Sequence, residues 1–444
     1  MNSLPRLFFI ITIFAAAVLF FPYSGICQSE YDYINISEPF TNKIPIALPM
    51  FKALSEGDTE NKAAVDSAEM VQQALSYTGY FKMVDRKAFL VDPENQGITE
   101  QEINFKNWRD IGAELLITGG VRRKAEVLQI EFRLFDPFRE ELVLGKRYTG
   151  SESDQRRMVL KFCGEVVKRL TGRTGLFQSR IAFIGDEGEG KAVYVCDFDG
   201  KNVRRITTPQ EIVVSPSWSP DGRFISYTAY LDEHPNIYVY DLSSGLQEVF
   251  AAYEGINLTP AWRPDQPGMA ATLSFEGDEE IYLLTETGKI DKRLTKSWGL
   301  DVSPTFSPDG KRMAFVSNRS GSPQIYVMDL DSGKVNRLTY EGTYNTEPEW
   351  SPVSDKIAYS GMKDGNADIY VTDVKTRETL RLTRQAGSNE APSWSPDGSM
   401  IVFSSTRSGP PKLYIMTASG TDQRRLLDMP GPQKLPDWSP AGEQ

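Results

Sequence analysis

Few stretches of this 444-residue chain carry residue types that do chemistry, and each falls short of a complete set. Gly185-Asp186-Glu187-Gly188-Glu189-Gly190-Lys191 follows the spacing of a phosphate-binding loop as far as the lysine. Ala192 then stands where a hydroxyl would hold magnesium, and the three carboxylates of the loop would repel phosphate. A strand pattern follows in place of the helix whose N-terminus would bind the anion. Asp197-Phe198-Asp199-Gly200 opens like a calcium loop but lacks the later ligands, and reads as a polar turn. His234 is the only histidine, which excludes histidine metal clusters. No G-x-S-x-G elbow supplies the serine that a Ser-His-Asp arrangement would need. The residues predict no catalysis, no metal and no cofactor.

What recurs instead is hydrogen-bonding chemistry at a fixed period. Val213, Asn257, Asp301, Asn345, Asn389 and Gln433 stand 44 residues apart, and all but Val213 are polar. Each lies three residues before a proline (Pro216, Pro260, Pro304, Pro348, Pro392, Pro436). Two residues after each proline comes an aromatic: Trp218, Trp262, Phe306, Trp350, Trp394 and Trp438. A constant period of 44 leaves no room for insertions between units. Within one unit, "PTFS", "MAFVS", "QIYVMD" and "KVNRLT" alternate like strands and are separated by turn residues. Ser307-Pro308-Asp309-Gly310 suits a type I turn with a left-handed exit at glycine, preceded by an aromatic wedge. Four short antiparallel strands per repeat of this length predict a propeller blade.

The register of the ends sets the blade number. Thr174 stands one period before Trp218, so the strand starting at Ile181 lacks an inner partner of its own; the phrase at Trp438 has no strand after it. The expectation is a six-bladed ring with one split blade, closed by the C-terminal strand. If each inner strand begins near its proline, the period-44 polar residues sit at the channel mouth. The loops between second and third strands then bring Tyr230, His234, Asn318, Arg319, Lys363 and Arg407 to the same face. Amides framed by Arg and aromatic side chains suit a protein interface. Polar loops alone would produce much of the same composition.

Residues 1–27 have Arg6, an apolar run from Leu7 to Phe21, then Pro22, Ser24 and Gly25, the pattern of a cleaved export signal. The run is short for a bilayer-spanning helix. Ile26 is bulky where acylation of Cys27 would need a small residue, so a soluble exported protein with no membrane insertion is expected. The net charge of -11 argues against nucleic acid. Residues 28–172 lack the repeat and predict an α/β domain: "KIPIALPMF", "ELLITGGV" and "EVLQIEFRLFD" as strands, one amphipathic helix ending near Gly79 and a capped helix ending at Gly172. Residues 173–444 form the all-β propeller after the connector "TGRTGLF". Cys163 and Cys196 fall in different domains and are expected to be free, buried thiols. Tyr31, Tyr33, Ile34 and Ile36 make a strand-forming run that Pro39 ends. It is either a mobile strand for β-augmentation of a partner or an ordinary first strand of the α/β domain.

An export signal, "IPIALPMF", a small α/β domain and six blades of the form "PxWSPDG…IAFxS…IYVMD…RLT" together resemble the TolB family of the Tol-Pal envelope system. The resemblance covers nearly all of the expected mature chain, although the single blade repeat is shared with many propellers. It implies a periplasmic interaction protein, a monomer outside its complex. The propeller would bind the lipoprotein Pal through the face carrying Asn257, Asp301, Asn345, Asn389, Gln433, His234, Arg319 and Arg407. "EYDYINISEPF" would bind TolA, its Tyr-rich start departing from the commoner pattern. The implied role is support of outer-membrane integrity and cell division. The alternatives are a free-standing periplasmic propeller that takes a sugar or peptide, or a peptidase-related propeller, for which the expected hydrolase domain is missing.

Overall fold

The computed structural model describes residues 43–442, apart from 56, 91–96, 211, 232–233, 364 and 385. The run Tyr31–Ile36 lies outside the described residues. The first domain is built on β1 (Ile44–Ala47), β2 (Lys52–Ala53), α1 (Asp58–Tyr77), β3 (Phe81–Met83), α2 (Phe105–Asp110), β4 (Leu115–Lys124), β5 (Val127–Asp136), β6 (Glu141–Gly150) and α3 (Gln155–Thr171). The sheet order is β3-β1-β4-β5-β6, with β2 also on β4. β1 pairs parallel with β3 and β4, and β4-β5-β6 form an antiparallel meander.

Side-chain alternation along the strands separates two layers. Ile46, Ile117, Ile130 and Phe132 face α1 and α3, whereas Ala47, Leu116 and Phe135 face Phe105 and Trp108 of α2. α1 is alanine-rich on its buried side (Ala63, Ala64, Ala68, Ala74), which lets the helix lie close to the sheet. Gly172 ends α3 at φ 73, donating its N–H to Lys168 O at 2.9 Å, a left-handed cap that glycine adopts without a Cβ penalty.

Six four-stranded antiparallel sheets follow. Blade 1 is split: Gln433–Trp438 pairs with Arg180–Asp186, which continues through Lys191–Asp197 to Arg204–Arg205. Blades 2 to 6 are continuous in sequence, with inner strands Val213–Trp218, Asn257–Trp262, Asp301–Phe306, Tyr344–Trp350 and Asn389–Trp394. The expected turn forms at Ser307–Gly310: Gly310 N–H donates to Ser307 O at 2.8 Å, Gly310 has φ 67, and Asp309 Oδ1 accepts from Lys311 N at 3.1 Å. The aromatics wedge between blades, and several also bond across them. Trp218 Nε1 donates to Asp437 O at 3.1 Å, Trp262 Nε1 to Ser217 O at 3.2 Å, and Trp394 Nε1 to Glu349 O at 3.2 Å.

One repeated feature was not legible in the sequence. The residue before each inner-strand proline is left-handed although none is glycine: Ser215, Thr259, Ser303, Glu347, Ala391 and Leu435 have φ between 47 and 55. The pairing register breaks at each of these points. Each such residue costs about 1 kcal/mol or more, so six copies are held only because the blades converging on the axis over-determine them.

The two domains share one hydrophobic cluster. Phe162, Cys163 and Val166 of α3 belong to the same buried set as Phe183, Cys196 and Phe198 of blade 1, Met400 and Leu413 of blade 6, and Trp438 of the closing strand. Cys163 and Cys196 are both free and buried, and burial pushes both thiols up.

Candidate functional site

Strand pairing places the period-44 residues on the face that carries the loops between second and third strands. Asp301 pairs with Ser317, Asn345 with Gly361, and Asn389 with Ser405, so Asn318, Arg319, Lys363 and Arg407 lie just beyond. The connections from each blade to the next open on this face as well. The Ser-Pro turns lie on the opposite face, as do the connections between third and fourth strands.

The expected exposure of the polar ring is corrected by the structure. Asn257, Asp301, Asn345, Asn389 and Gln433 are all 2 % exposed or less. The amides of Asn257, Asn345, Asn389 and Gln433 satisfy the backbone of the blade-to-blade connections, which would otherwise be buried with unpaired carbonyls. Asn257 Nδ2 donates to Tyr253 O at 2.7 Å while its Oδ1 accepts from Tyr253 N at 2.9 Å. Asn345 Nδ2 donates to Glu341 O at 2.8 Å, and Gln433 Nε2 to Met429 O at 2.8 Å. Asn389 Oδ1 accepts from Arg407 Nη2 at 2.9 Å and from Ser405 Oγ at 2.7 Å. Arg319 Nη2 donates to Asp301 Oδ2 at 2.6 Å, its guanidinium lying 5.1 Å from the Tyr326 ring centre; Arg407 lies 4.5 Å from that of Tyr414. These seven residues anchor loops. His234, by contrast, is exposed on the same face.

Three aromatics that the sequence reading passed over do reach solvent there. Trp298 is 93 % exposed, Tyr340 71 % and Tyr344 46 %, with Arg337 over the Tyr340 ring at 4.8 Å. Trp298 and Tyr340 occupy consecutive blade connections that also contain Gly299 and Gly342. An aromatic in a glycine-containing polar connection, outside the repeat's register, was the signal available. Large apolar side chains held in water are hot-spot candidates when they cluster on fixed loops.

A cavity of about 520 Å³ opens on the ring axis toward the face of the Ser-Pro turns, lined by the six bulged prolines, their neighbours and the prolines of those turns. Its chemistry is acidic on one side. Asp437 Oδ2 accepts from Trp218 N at 2.7 Å, bonding the closing strand to blade 2, yet burial pushes this carboxyl up to about 7. Burial and the charge of Asp437 raise the Glu349 carboxyl as well. Glu347 Oε2 accepts from Ser360 Oγ at 2.6 Å and Ala391 N at 2.8 Å, and burial raises it too.

The two incomplete motifs of blade 1 have structural places. Gly185–Lys191 joins two antiparallel strands of blade 1. Asp197 and Asp199 form a socket for α3: Arg156 Nη2 donates to Asp199 Oδ1 at 2.9 Å and Asp197 Oδ2 at 3.2 Å, while Tyr77 OH donates to Asp199 O at 3.2 Å. Arg424 of blade 6 stacks over Tyr77 at 4.3 Å and donates to its carbonyl at 2.8 Å. Among the described residues, no three His, Cys, Asp or Glu side chains converge as metal ligands, and no helix is long and apolar enough to cross a membrane.

An α/β domain locked to a six-bladed ring by a common core, with exposed aromatics standing on one face, defines a two-domain propeller class. The sequence matches the TolB beta propeller domain over residues 167–442 and the TolB amino-terminal domain over residues 32–143. The chain belongs to the TolB family. It is 54% identical over 229 residues to the Tol-Pal system protein TolB of Desulfosudis oleivorans, covering 52% of each chain. It is 40% identical over 222 residues to that of Syntrophus aciditrophicus, covering 49% of each. The matched stretch thus spans about half the length of these curated relatives. The crystal structure of TolB from Acinetobacter baumannii superposes with a TM-score of 0.79 at 27% identity, covering 90% of this chain and 97% of that one.

Proposed function

We propose that this protein is an exported, periplasmic, non-catalytic component of a Tol-Pal envelope system, binding the lipoprotein Pal through the propeller face that bears Trp298, Tyr340 and Tyr344. The observation that carries this reading is the exposure of Trp298 and Tyr340 on adjacent blade connections whose roots are tied down by buried polar groups. Rigid loops presenting aromatic anchors lower the ordering cost of association. In this reading Asn257, Asp301, Asn345, Asn389, Gln433, Arg319 and Arg407 act on Pal by positioning the loops, and exposed His234 contacts it at the rim. The run with Tyr31, Tyr33, Ile34 and Ile36 pairs with TolA by adding a strand. Linking an outer-membrane lipoprotein to TolA would support envelope integrity and division.

A pull-down with the processed full chain from native envelope tests the reading directly. Pal and TolA are the expected partners, with Trp298→Ala losing Pal and deletion of residues 29–38 losing TolA alone. Recovery of neither partner would leave the propeller as a free-standing binder of sugar or peptide in its acidic channel.

A further inference from the structure

Five of the six blades cover their ring aromatic in the same way. Phe198, Leu242, Leu330, Val374 and Ala418 stand at one position of the 44-residue period, just after the third strand of blades 1, 2, 4, 5 and 6. Each belongs to the hydrophobic cluster of its own blade's aromatic: Trp438, Trp218, Phe306, Trp350 and Trp394 in turn. Their N–H groups fix the cover in place, donating to Ser179 O, Arg223 O, Lys311 O, Asp355 O and Ser399 O at 2.8 to 3.1 Å. All five aromatics are buried.

Blade 3 breaks the rule. Glu286 holds its period position, exposed to solvent, and among the described residues no such backbone bond forms there. The neighbouring turn departs as well, with Arg263-Pro264-Asp265-Gln266-Pro267-Gly268 in place of the Ser-Pro-Asp-Gly form. Trp262 is left only half-buried. A groove of about 560 Å³ opens against it between blades 2 and 3, beside the Ser-Pro turn of blade 2, with Phe224, Val239 and Phe250 on its walls. The Phe224 and Phe250 rings lie 6.4 and 6.3 Å from the indole, which its bond to Ser217 O holds in place. Val249, at the edge, is 57 % exposed. Large apolar side chains left in water around a fixed aromatic platform mark a docking surface.

We propose that this groove docks a proline-rich, basic segment of a partner protein. Charge selects the basic character. Among the residues lining the groove, the carboxylates of Asp221, Glu248, Asp265 and Glu286 outnumber one guanidinium, that of Arg263, and Asp265 takes it at 3.0 Å. Lysine or arginine flanking an apolar side chain would meet Glu248 and Glu286 at the rim. The aromatic lining selects proline, because a polyproline II segment is preformed and keeps its backbone solvated, so docking orders little chain and strands few peptide groups. The groove lies by the Ser-Pro turns, on the face away from Trp298 and Tyr340, and stands independently of the Pal reading.

Anisotropy titration of the processed full chain tests the groove, using two labelled peptides, RPLPPLPR and its charge-reversed form EPLPPLPE. The parent is expected to bind the basic peptide at least about tenfold more tightly than the acidic one. Glu286→Leu installs the residue that covers the aromatics of blades 2 and 4, so it should keep or raise the melting temperature while weakening the basic peptide about tenfold. Glu248→Lys leaves the apolar walls intact and should narrow or invert the charge preference. No saturable binding, equal affinity for the two peptides, or basic-peptide binding unchanged in both variants overturns the proposal. Dimerisation of the parent that Glu286→Leu abolishes would give the groove to a second copy of the chain and overturn it as well. Pal affinity should be the same in both variants as in the parent, and its loss would join the groove to the Pal surface and overturn the separate partner.

Discussion

The two faces of the propeller divide the labour between repetition and deviation. The face with the Ser-Pro turns carries the most regular phrase in the chain, and there the residues build turns and wedges: Ser307, Asp309 and Gly310 close on one another, as do Ser395, Asp397 and Gly398. The opposite face keeps the period only in its buried anchors. Its exposed aromatics follow no repeat, with Trp298 and Tyr340 offset differently from Asp301 and Asn345. In a ring of near-identical units, what all blades share serves closure, and what one blade does alone is available for recognition.

Breaking closure should have the largest effect. Removing residues 433–442 would leave Arg180–Asp186 as an unpaired edge and take away Trp438, and a loss of more than about 5 kcal/mol is expected in chemical denaturation. Trp438→Ala alone should cost about 4 kcal/mol, because the indole is buried in the core common to both domains and its Nε1 donates to Ser179 Oγ at 2.8 Å.

The acid pair of the channel sharpens the same comparison through pH. Burial pushes the folded carboxyl of Asp437 up to about 7, above the value near 3.9 of an unfolded aspartate. Its contribution to stability is therefore complete below about pH 4 and lost as pH rises through about 7, and Glu349, also raised, acts with the same sign. Melting temperature should fall between about pH 4 and 7. Asp437→Asn, which keeps an acceptor for Trp218 N–H, should flatten that slope and gain about 2 kcal/mol at the alkaline end. An unchanged slope would place the titrating group elsewhere.

On the face proposed to bind Pal the expected effect moves from stability to binding. Trp298→Ala should weaken Pal by about 2 kcal/mol with no change in melting temperature. Asn345→Ala should weaken Pal while also destabilising the protein by about 1 to 2 kcal/mol, because it frees Glu341 O and Gln324 Oε1. The smallest effect is expected on the turn face: Asp309→Ala should cost about 1 kcal/mol of stability and leave Pal affinity untouched. Pal binding that follows Asp309 and ignores Trp298 would exchange the roles of the two faces.

The architecture was legible because six copies of one phrase average out local noise, and because the offset between the first strand and the last phrase betrays the split blade. The helix ends at Gly172 and near Gly79 were legible from glycine alone. The candidate site was harder to read. Amides at the start of strands read as surface residues because sequence does not show which backbone carbonyls a connection buries; Asn257 and Gln433 are inside to satisfy Tyr253 O and Met429 O. The left-handed residue before each proline was hidden because Ser, Thr, Glu, Ala and Leu all occupy it, the conformation being imposed by neighbouring blades. Trp298 was missed because a search by period discards what does not recur.

The core common to α3, blade 1, blade 6 and the closing strand also bears on how the chain is made. Arg180 N–H bonds Ser439 Oγ across 259 residues, so the first blade cannot be finished until the last strand reaches it. During synthesis, which proceeds from the N-terminus, Arg180–Asp186 waits with one edge open while five complete sheets accumulate beyond it. The α/β domain emerges before all of them, and α3 already covers Phe183, Cys196 and Phe198 from the side. Docking of α3 there covers apolar surface of the one blade whose edge strand stays open until the chain's last strand arrives.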